Sequence, residues 1–317
     1  MPFIAVSGPY PRNPNFAKVV SRFQSGKVDK KGFDEAVKKE IERYVRVMLG
    51  NKVDYLTAGL MRFDDVVDAM VSLLKNVDKN GLVRFYDNNF YYRVPVVKGK
   101  IEFSGGEDYQ KDLEAAKKAI SGKAKLKVTV LGPLSFATLS EDKNYGDSKA
   151  LMLDYASAIN DFLKQAKGLY DAVEVIEPSF FQKGIGKNEI SNAKEAYEKL
   201  ITGANTEVHL ISYFFLRVDR LQDFVGLKAD YYGFDLAEER KKKVAFVYRA
   251  VKGKGVYLGL LDTRNTKLER VSSLRRFVKG AEEAGAKGVI VGNSSLLDLI
   301  PEVIIQRKFS IASKLKG

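Results

Sequence analysis

The chain is 317 residues long, 45% hydrophobic and 29% charged, with a formal net charge of +13. A globular fold with a sizeable core fits those figures, while zero cysteines and a single histidine, His209, exclude disulfides, thiol nucleophiles and zinc sites built mainly from Cys and His. No apolar run approaches the ~20 residues of a membrane span. The opening "MPFIAVSGPYPRN" has no basic region followed by a long apolar one, so no signal peptide and a cytoplasmic location are expected.

Taken in chain order, short apolar runs predict strands at 3–7, 53–57, 127–132, 172–177, 207–214, 230–235, 255–262 and 288–293. Most lack in-out alternation, as parallel strands covered on both faces do. Between them the apolar spacing predicts helices. Val37, Ile41, Tyr44, Val45 and Met48 share one face of a helix over 34–49. Similar patterns mark 64–75, 151–166, 192–202, 236–251 and 268–284. The stretch 83–105 breaks the rhythm with aromatic and β-branched residues around Asn88-Asn89 and Lys98-Gly99. It is read as an extended insertion with a hairpin after the second strand. Alternating strands and helices predict one α/β domain over 1–317, a single closed (β/α)8 TIM-type barrel; an open doubly wound sheet is the alternative.

In such a barrel chemistry gathers at the C-terminal strand ends. Those ends carry Ser7, Tyr10 and Arg12; Glu177; Tyr213; Asp235; Asp262, Arg264 and Asn265; and Ser294. These ten residues are the candidate ligand-binding rim. Any one of them is explicable as turn chemistry; their convergence on one rim is the functional signal. Arg12 and Arg264 are the expected binders of an anionic or zwitterionic small molecule, and Arg264 could instead pair with Asp262. Glu177 is read either as a catalytic remnant or as the partner of an arginine, and His209 as a packing residue. The lysine clusters, such as "AEERKKKVA", mix with acids at helical spacing and are read as paired, solvated helix faces. With no zinc finger or basic-aromatic RNA motif, a nucleic-acid partner is disfavoured.

These ends also resemble the cobalamin-independent methionine synthase family. The similarity runs in order through "GPYPR" (8–12), "FQSGKVDKKGFDEAVKKEIERYVR" (23–46), "GLMRFDDVVD" (59–68), "FYDNNFYYRVP" (85–95), "VTVLGPLSFATLS" (128–140), "VEVIEPSFF" (173–181), "VYLGLLDTRN" (256–265) and "GNSSLLDLIP" (292–301). Family members have two barrels, a catalytic one holding zinc and an N-terminal one that helps bind the folate; 59–68 and 85–95 resemble the latter. The resemblance implies a role in methyl transfer to homocysteine, as an accessory or ligand-binding partner of a separate zinc-bearing catalytic barrel. The positions matching the family's zinc ligands are Leu210, Ser212, Asp235 and Ser294, so bound zinc is not expected and the zinc site is read as degenerate. A folate or other pterin methyl donor fits the reading, and no tightly bound cofactor is expected. Two further readings stay open: an autonomous homocysteine methyltransferase with an atypical metal site through Asp235, and a nucleic-acid binder using the basic surface.

Overall fold

Val128, Val130, Val173, Val175, Val256 and Val291 have essentially no exposure, and their branched side chains favour extended backbone covered on both faces. The computed structural model describes residues 1–86 and 88–317, and of Glu239 the backbone only. Its strands are β1 (Phe3–Ala5), β2 (Tyr55–Thr57), β3 (Leu74–Arg84), β4 (Tyr91–Phe103), β5 (Lys125–Leu131), β6 (Glu141–Asp142), β7 (Ala172–Ile176), β8 (Glu207–Ser212), β9 (Tyr231–Asp235), β10 (Gly255–Leu261) and β11 (Gly288–Asn293). Eight of them form a closed barrel in the order β1-β11-β10-β9-β8-β7-β5-β2, every pair parallel. The (β/α)8 barrel expected from the sequence is therefore the fold, and the open sheet is not. Helices such as Lys30–Gly50, Ser148–Gln165 and Val271–Glu283 cover it. Among the described residues no helix is long and apolar enough to cross a membrane.

Closure depends on close backbone approach. A Cβ at Gly292 would overlap the Tyr257 hydroxyl and the Ala5 carbonyl oxygen, so only glycine lets β11 seat against β1 here.

The barrel interior is unusually polar for a fold whose inner layers are mostly branched aliphatics. Lys127 and Glu174 are fully buried and ion-paired. Glu174 Oε1 also accepts the Gly8 N–H at 2.8 Å and the Thr129 hydroxyl at 3.1 Å. His209 lies between the rings of Tyr55 and Tyr231, each 4.9 Å away, and its Nε2 lies 2.8 Å from Glu207 Oε1. Burial holds the imidazole pKa below its usual value, so the neutral ring donates from Nε2. His209 is thus a packing residue inside the barrel.

Three elements differ from the sequence expectation. The helix over 64–75 is only Val66–Val71, because Leu73 and Leu74 satisfy a strand equally well and β3 begins at Leu74. The insertion accordingly starts earlier than 83, as a β3–β4 antiparallel hairpin joined by the short β6; Asp87, within the expected turn, lies outside the described residues. The helix over 236–251 splits into a 3₁₀ run, Glu238–Lys243, and a short α-helix, Val244–Ala250.

Candidate functional site

At the end of β9, Asp235 is 1% exposed and collects partners from three loops. Its Oδ1 accepts the Ala237 N–H at 3.0 Å and Arg264 Nη2 at 3.1 Å; its Oδ2 accepts the Phe214 N–H at 3.2 Å. Arg240 Nε and Arg264 Nη1 each stand 3.0 Å from Oδ2. Both guanidiniums extend to Glu238 Oε2, at 3.0 Å from Arg240 Nη2 and 3.3 Å from Arg264 Nε. The pairing of Arg264 with Asp262, one of two readings open from the sequence, is the looser contact, at 3.9 Å. Asp262 instead organises its own loop, accepting the Arg264 N–H at 3.1 Å and the Asn265 side-chain amide at 2.5 Å.

Contacts continue around the mouth. Arg264 Nη1 donates to Ser295 Oγ at 3.3 Å, and Ser295 Oγ lies 2.6 Å from Thr263 Oγ1. Ser294 Oγ accepts the Thr263 N–H at 3.2 Å. Asn293 clamps the backbone of Ser7: its Oδ1 accepts the Ser7 N–H at 2.8 Å and its Nδ2 donates to the Ser7 carbonyl at 2.9 Å. The polar turn after β11 therefore holds β1, β10 and β11 together.

On the opposite arc Glu177 follows β7 and caps the helix Pro133–Leu139. Its carboxylate accepts the N–H groups of Leu134 (3.1 Å) and Ser135 (2.7 Å) and the Ser135 hydroxyl. Burial nonetheless pushes its pKa up to about 7, against those hydrogen bonds. The β3–β4 hairpin leans over this arc. Tyr86 and Ser179 share a hydroxyl hydrogen bond of 2.6 Å, and the Tyr86 ring meets Phe214 and Phe215 at 6.1 and 5.8 Å. Tyr213, beside Phe214 at 4.7 Å, is 3% exposed and its hydroxyl has no hydrogen-bond partner.

Leu60, Tyr86, Phe214 and Glu238 all have positive φ, of 51°, 52°, 68° and 51°. Non-glycine residues in this region are costly and cluster where surrounding structure has a use for them. Here they stand after β2, at the hairpin tip, after β8 and after β9.

Of the ten rim residues, Ser7, Asp235, Asp262, Arg264, Asn265 and Ser294 form one connected arc. Glu177 and Tyr213 join it through Tyr86 and Phe214. Two do not join. Tyr10 is buried against Tyr44, and its hydroxyl donates to Glu302 Oε1 at 3.1 Å. Arg12, expected to be available to an anion, is consumed by the loop after β2: Nε donates to the Met61 carbonyl (2.8 Å), Nη2 to that of Phe63 (2.7 Å), and both Nη atoms to Asp64. Glu177 pairs with serine and backbone rather than with an arginine. Sequence reasoning passed over Glu238 and Arg240, whose charge run looks like a solvated helix face, and Tyr86, which comes from an insertion.

A zinc ion does not fit these residues. Asp235 is already taken by two guanidiniums and two N–H groups, Ser294 is engaged with Thr263, and Leu210 offers no donor. Thiolate and imidazole, the usual zinc donors, are missing from the mouth. Among the described residues no group of three His, Cys, Asp or Glu side chains could hold a metal ion. Several surface clefts lie apart from the mouth. One of ≈ 330 Å³ is lined by Asp34, Arg62 and Asp112; one of ≈ 560 Å³ lies against Lys187, Arg217 and Arg220. In the first, Arg62 is bound by Asp34 and Asp112.

Residues 74–285 match the family model described as "Cobalamin-independent synthase, N-terminal domain". A methionine synthase of Sulfolobus acidocaldarius is 26% identical over 277 residues, 85% of this chain and 77% of that protein. One of Saccharolobus solfataricus is 27% identical over 272 residues, covering 83% and 78%. Among solved structures, a B12-independent methionine synthase from Shewanella sp. W3-18-1 in complex with selenomethionine superposes with a TM-score of 0.83 at 14% identity, over 99% of this chain and 96% of that one. A putative vitamin-B12-independent methionine synthase from Listeria monocytogenes gives 0.79 at 15% identity, over 100% and 98%.

Proposed function

Because the chain belongs to the cobalamin-independent synthase family, through its N-terminal domain, we propose that it serves methionine biosynthesis as a ligand-binding partner of a separate, zinc-bearing catalytic barrel. One observation carries this reading. Asp235, at a position matching a zinc ligand of the family, is locked by Arg240 and Arg264. A neutral thiol, with a pKa near ~8.5 in free cysteine, is a weak nucleophile. Activating homocysteine sulfur needs a group that stabilises thiolate, and the reading assigns that step to the partner. This chain's residues then bind and orient. Arg264 and Arg240 offer guanidinium donors to an anionic part of the ligand, as in a folate or other pterin methyl donor. The Tyr213 hydroxyl offers a donor or acceptor inside the mouth. Tyr86, Phe214 and Phe215 supply apolar surface that excludes water.

The test is methionine formation from homocysteine and a methyl donor with this chain, the catalytic barrel, or both, alongside a co-elution assay. The expected result is a stable complex and a rate well above that of the catalytic barrel alone. Activity of this chain by itself that a chelator abolishes would favour the autonomous methyltransferase instead. No complex and no effect on rate would remove the partner role.

A further inference from the structure

We propose that Glu238 sits in the seat of a ligand carboxylate, and that Arg240 and Arg264 form a carboxylate-binding subsite exposed when Glu238 is displaced. The inference deepens the reading of the mouth as a ligand site and rests on it.

Charge is the first argument. Two guanidiniums meet at one point, and the buried Asp235 neutralises one of them. The second charge is met by Glu238, with Asp262 farther off at 3.9 Å. The two carboxylates differ sharply. The Asp235 side chain is fully buried and tied by backbone N–H groups, whereas the Glu238 side chain is 46% exposed. The acid at the open end is the one that can leave.

Geometry is the second. Arg240 Nε and Arg264 Nε are buried and have no hydrogen-bond partner, although carboxylate oxygens lie at 3.0 and 3.3 Å. The oxygens are close enough for charge attraction but poorly aligned for an N–H bond. A guanidinium presents a planar fork that suits a carboxylate approached in its plane. Glu238, reaching back from its own backbone, bonds Arg240 Nη2 at 3.0 Å but leaves Arg264 Nε without an aligned acceptor, and the oxygen nearest Arg240 Nε belongs to Asp235; a ligand entering through the mouth is not so tethered.

Backbone conformation is the third. Glu238 holds φ +51°, a region that disfavours every residue with a side chain except, mildly, Asn and Asp. That strain is held by the surrounding loop, and the half-exposed side chain can swing out to solvent without altering it. The guanidiniums need no such rearrangement. Arg240 Nη1 still donates to the Phe214 carbonyl at 3.2 Å, and Arg264 Nη1 to Ser295 Oγ at 3.3 Å, so both remain positioned when Glu238 departs. The ligand class that fits is a carboxylate, borne either by an amino acid or by a glutamyl tail.

The experiment is calorimetric titration of the full chain with L-methionine, with triglutamate and with L-methioninol, which lacks the carboxylate. Wild type is compared with Glu238→Gly, which suits the left-handed backbone, with Glu238→Gln, and with Arg240→Gln in the Glu238→Gly background. Both Glu238 variants should tighten at least one carboxylate probe about ten-fold or more, near 1.4 kcal/mol. They should leave methioninol unchanged, and Arg240→Gln should cancel the gain. Which probe gains separates an amino-acid carboxylate from a glutamyl tail. Unchanged or weaker carboxylate binding, an equal gain for methioninol, or no binding by any form would overturn the subsite. If methionine and methioninol bind alike and ignore Glu238, the mouth remains a ligand site without this subsite. If the carboxylate gain appears but the reconstitution with a catalytic barrel fails, the subsite stands and the metabolic role falls.

Discussion

Glu177 is held in two opposing ways. Its carboxylate receives three short donors from the start of one helix, which favours the charged form; burial disfavours that form more, and the pKa reaches about 7 against 4.5. A folded-state pKa above the unfolded one means the folded chain binds the proton more tightly. The associated stability is complete below pH 4.5 and is lost as pH rises through about 7. A carboxyl raised from 4.5 to about 7 corresponds to about 3 kcal/mol. Urea unfolding at pH 5 and pH 8 should show wild type losing stability with pH, and Glu177→Gln should flatten that loss by about this amount; an unchanged slope would mean the carboxylate ionises freely. Asp65 and Asp112, both raised to about 6 by burial, contribute a remaining slope of the same sign. The position of Glu177 was legible from "IEP" at a strand end. Its partners were not, because Ser135 lies 42 residues away and only barrel closure brings it near. Arg12 shows the converse error: a rim arginine looks available in sequence, yet neighbouring carbonyls of a loop 49 residues on satisfy it.

Among the elements, the eight barrel strands were readable because a strand buried on both faces leaves a mostly apolar run, even where Lys127, Glu174 or His209 interrupts it. The hairpin was only half readable. β3 is "LKNVDKNGLVR", exposed over most of its length, so no hydrophobic period marks where the preceding helix stops. The site residues Glu238 and Arg240 were hidden for a related reason: a 3₁₀ run made wholly of charged residues has the composition of a solvated helix. Glycines give a sharper test of the elements. Gly292→Ala should destabilise the chain by about 1–3 kcal/mol or more, since the new methyl forces Tyr257 and the β1 backbone aside. Gly122→Ala is a poor control because of its φ of +74°, whereas Gly50, a helical position with nothing within 4 Å, should tolerate alanine. Thermal unfolding of the Gly292 and Gly50 variants measures the difference; equal midpoints would show that β11 has room to move.

At the scale of the whole molecule, the net charge of +13 does not by itself define a partner. Many of the 53 lysines and arginines are paired with acids on helix surfaces, as between Lys30 and Asp34 or Lys279 and Glu283, where each contact contributes little. The charges that matter are few and sit in the mouth. Zinc titration should find no tight site, and metal analysis after dialysis against a weak chelator should return far less than one zinc per chain. Stoichiometric zinc would require Asp235 to exchange both arginines for the ion.

The ion pair between Lys127 and Glu174 bears on how the chain comes to be folded at all. Glu174 draws its hydrogen bonds from Gly8, Thr129 and Lys127, and Ser7 is bound 286 residues away by Asn293. A fragment ending before β7 strands a buried ammonium; one starting after β5 strands a buried carboxylate. Both partners lie in the first four barrel strands, so the pair ties β5 to β7 and only a cut between those two strands leaves a charge unsheltered. A fragment that runs past β7 keeps the pair but lacks Asn293 of β11, which binds the backbone of Ser7, so β1 is fully seated only when the last strand docks.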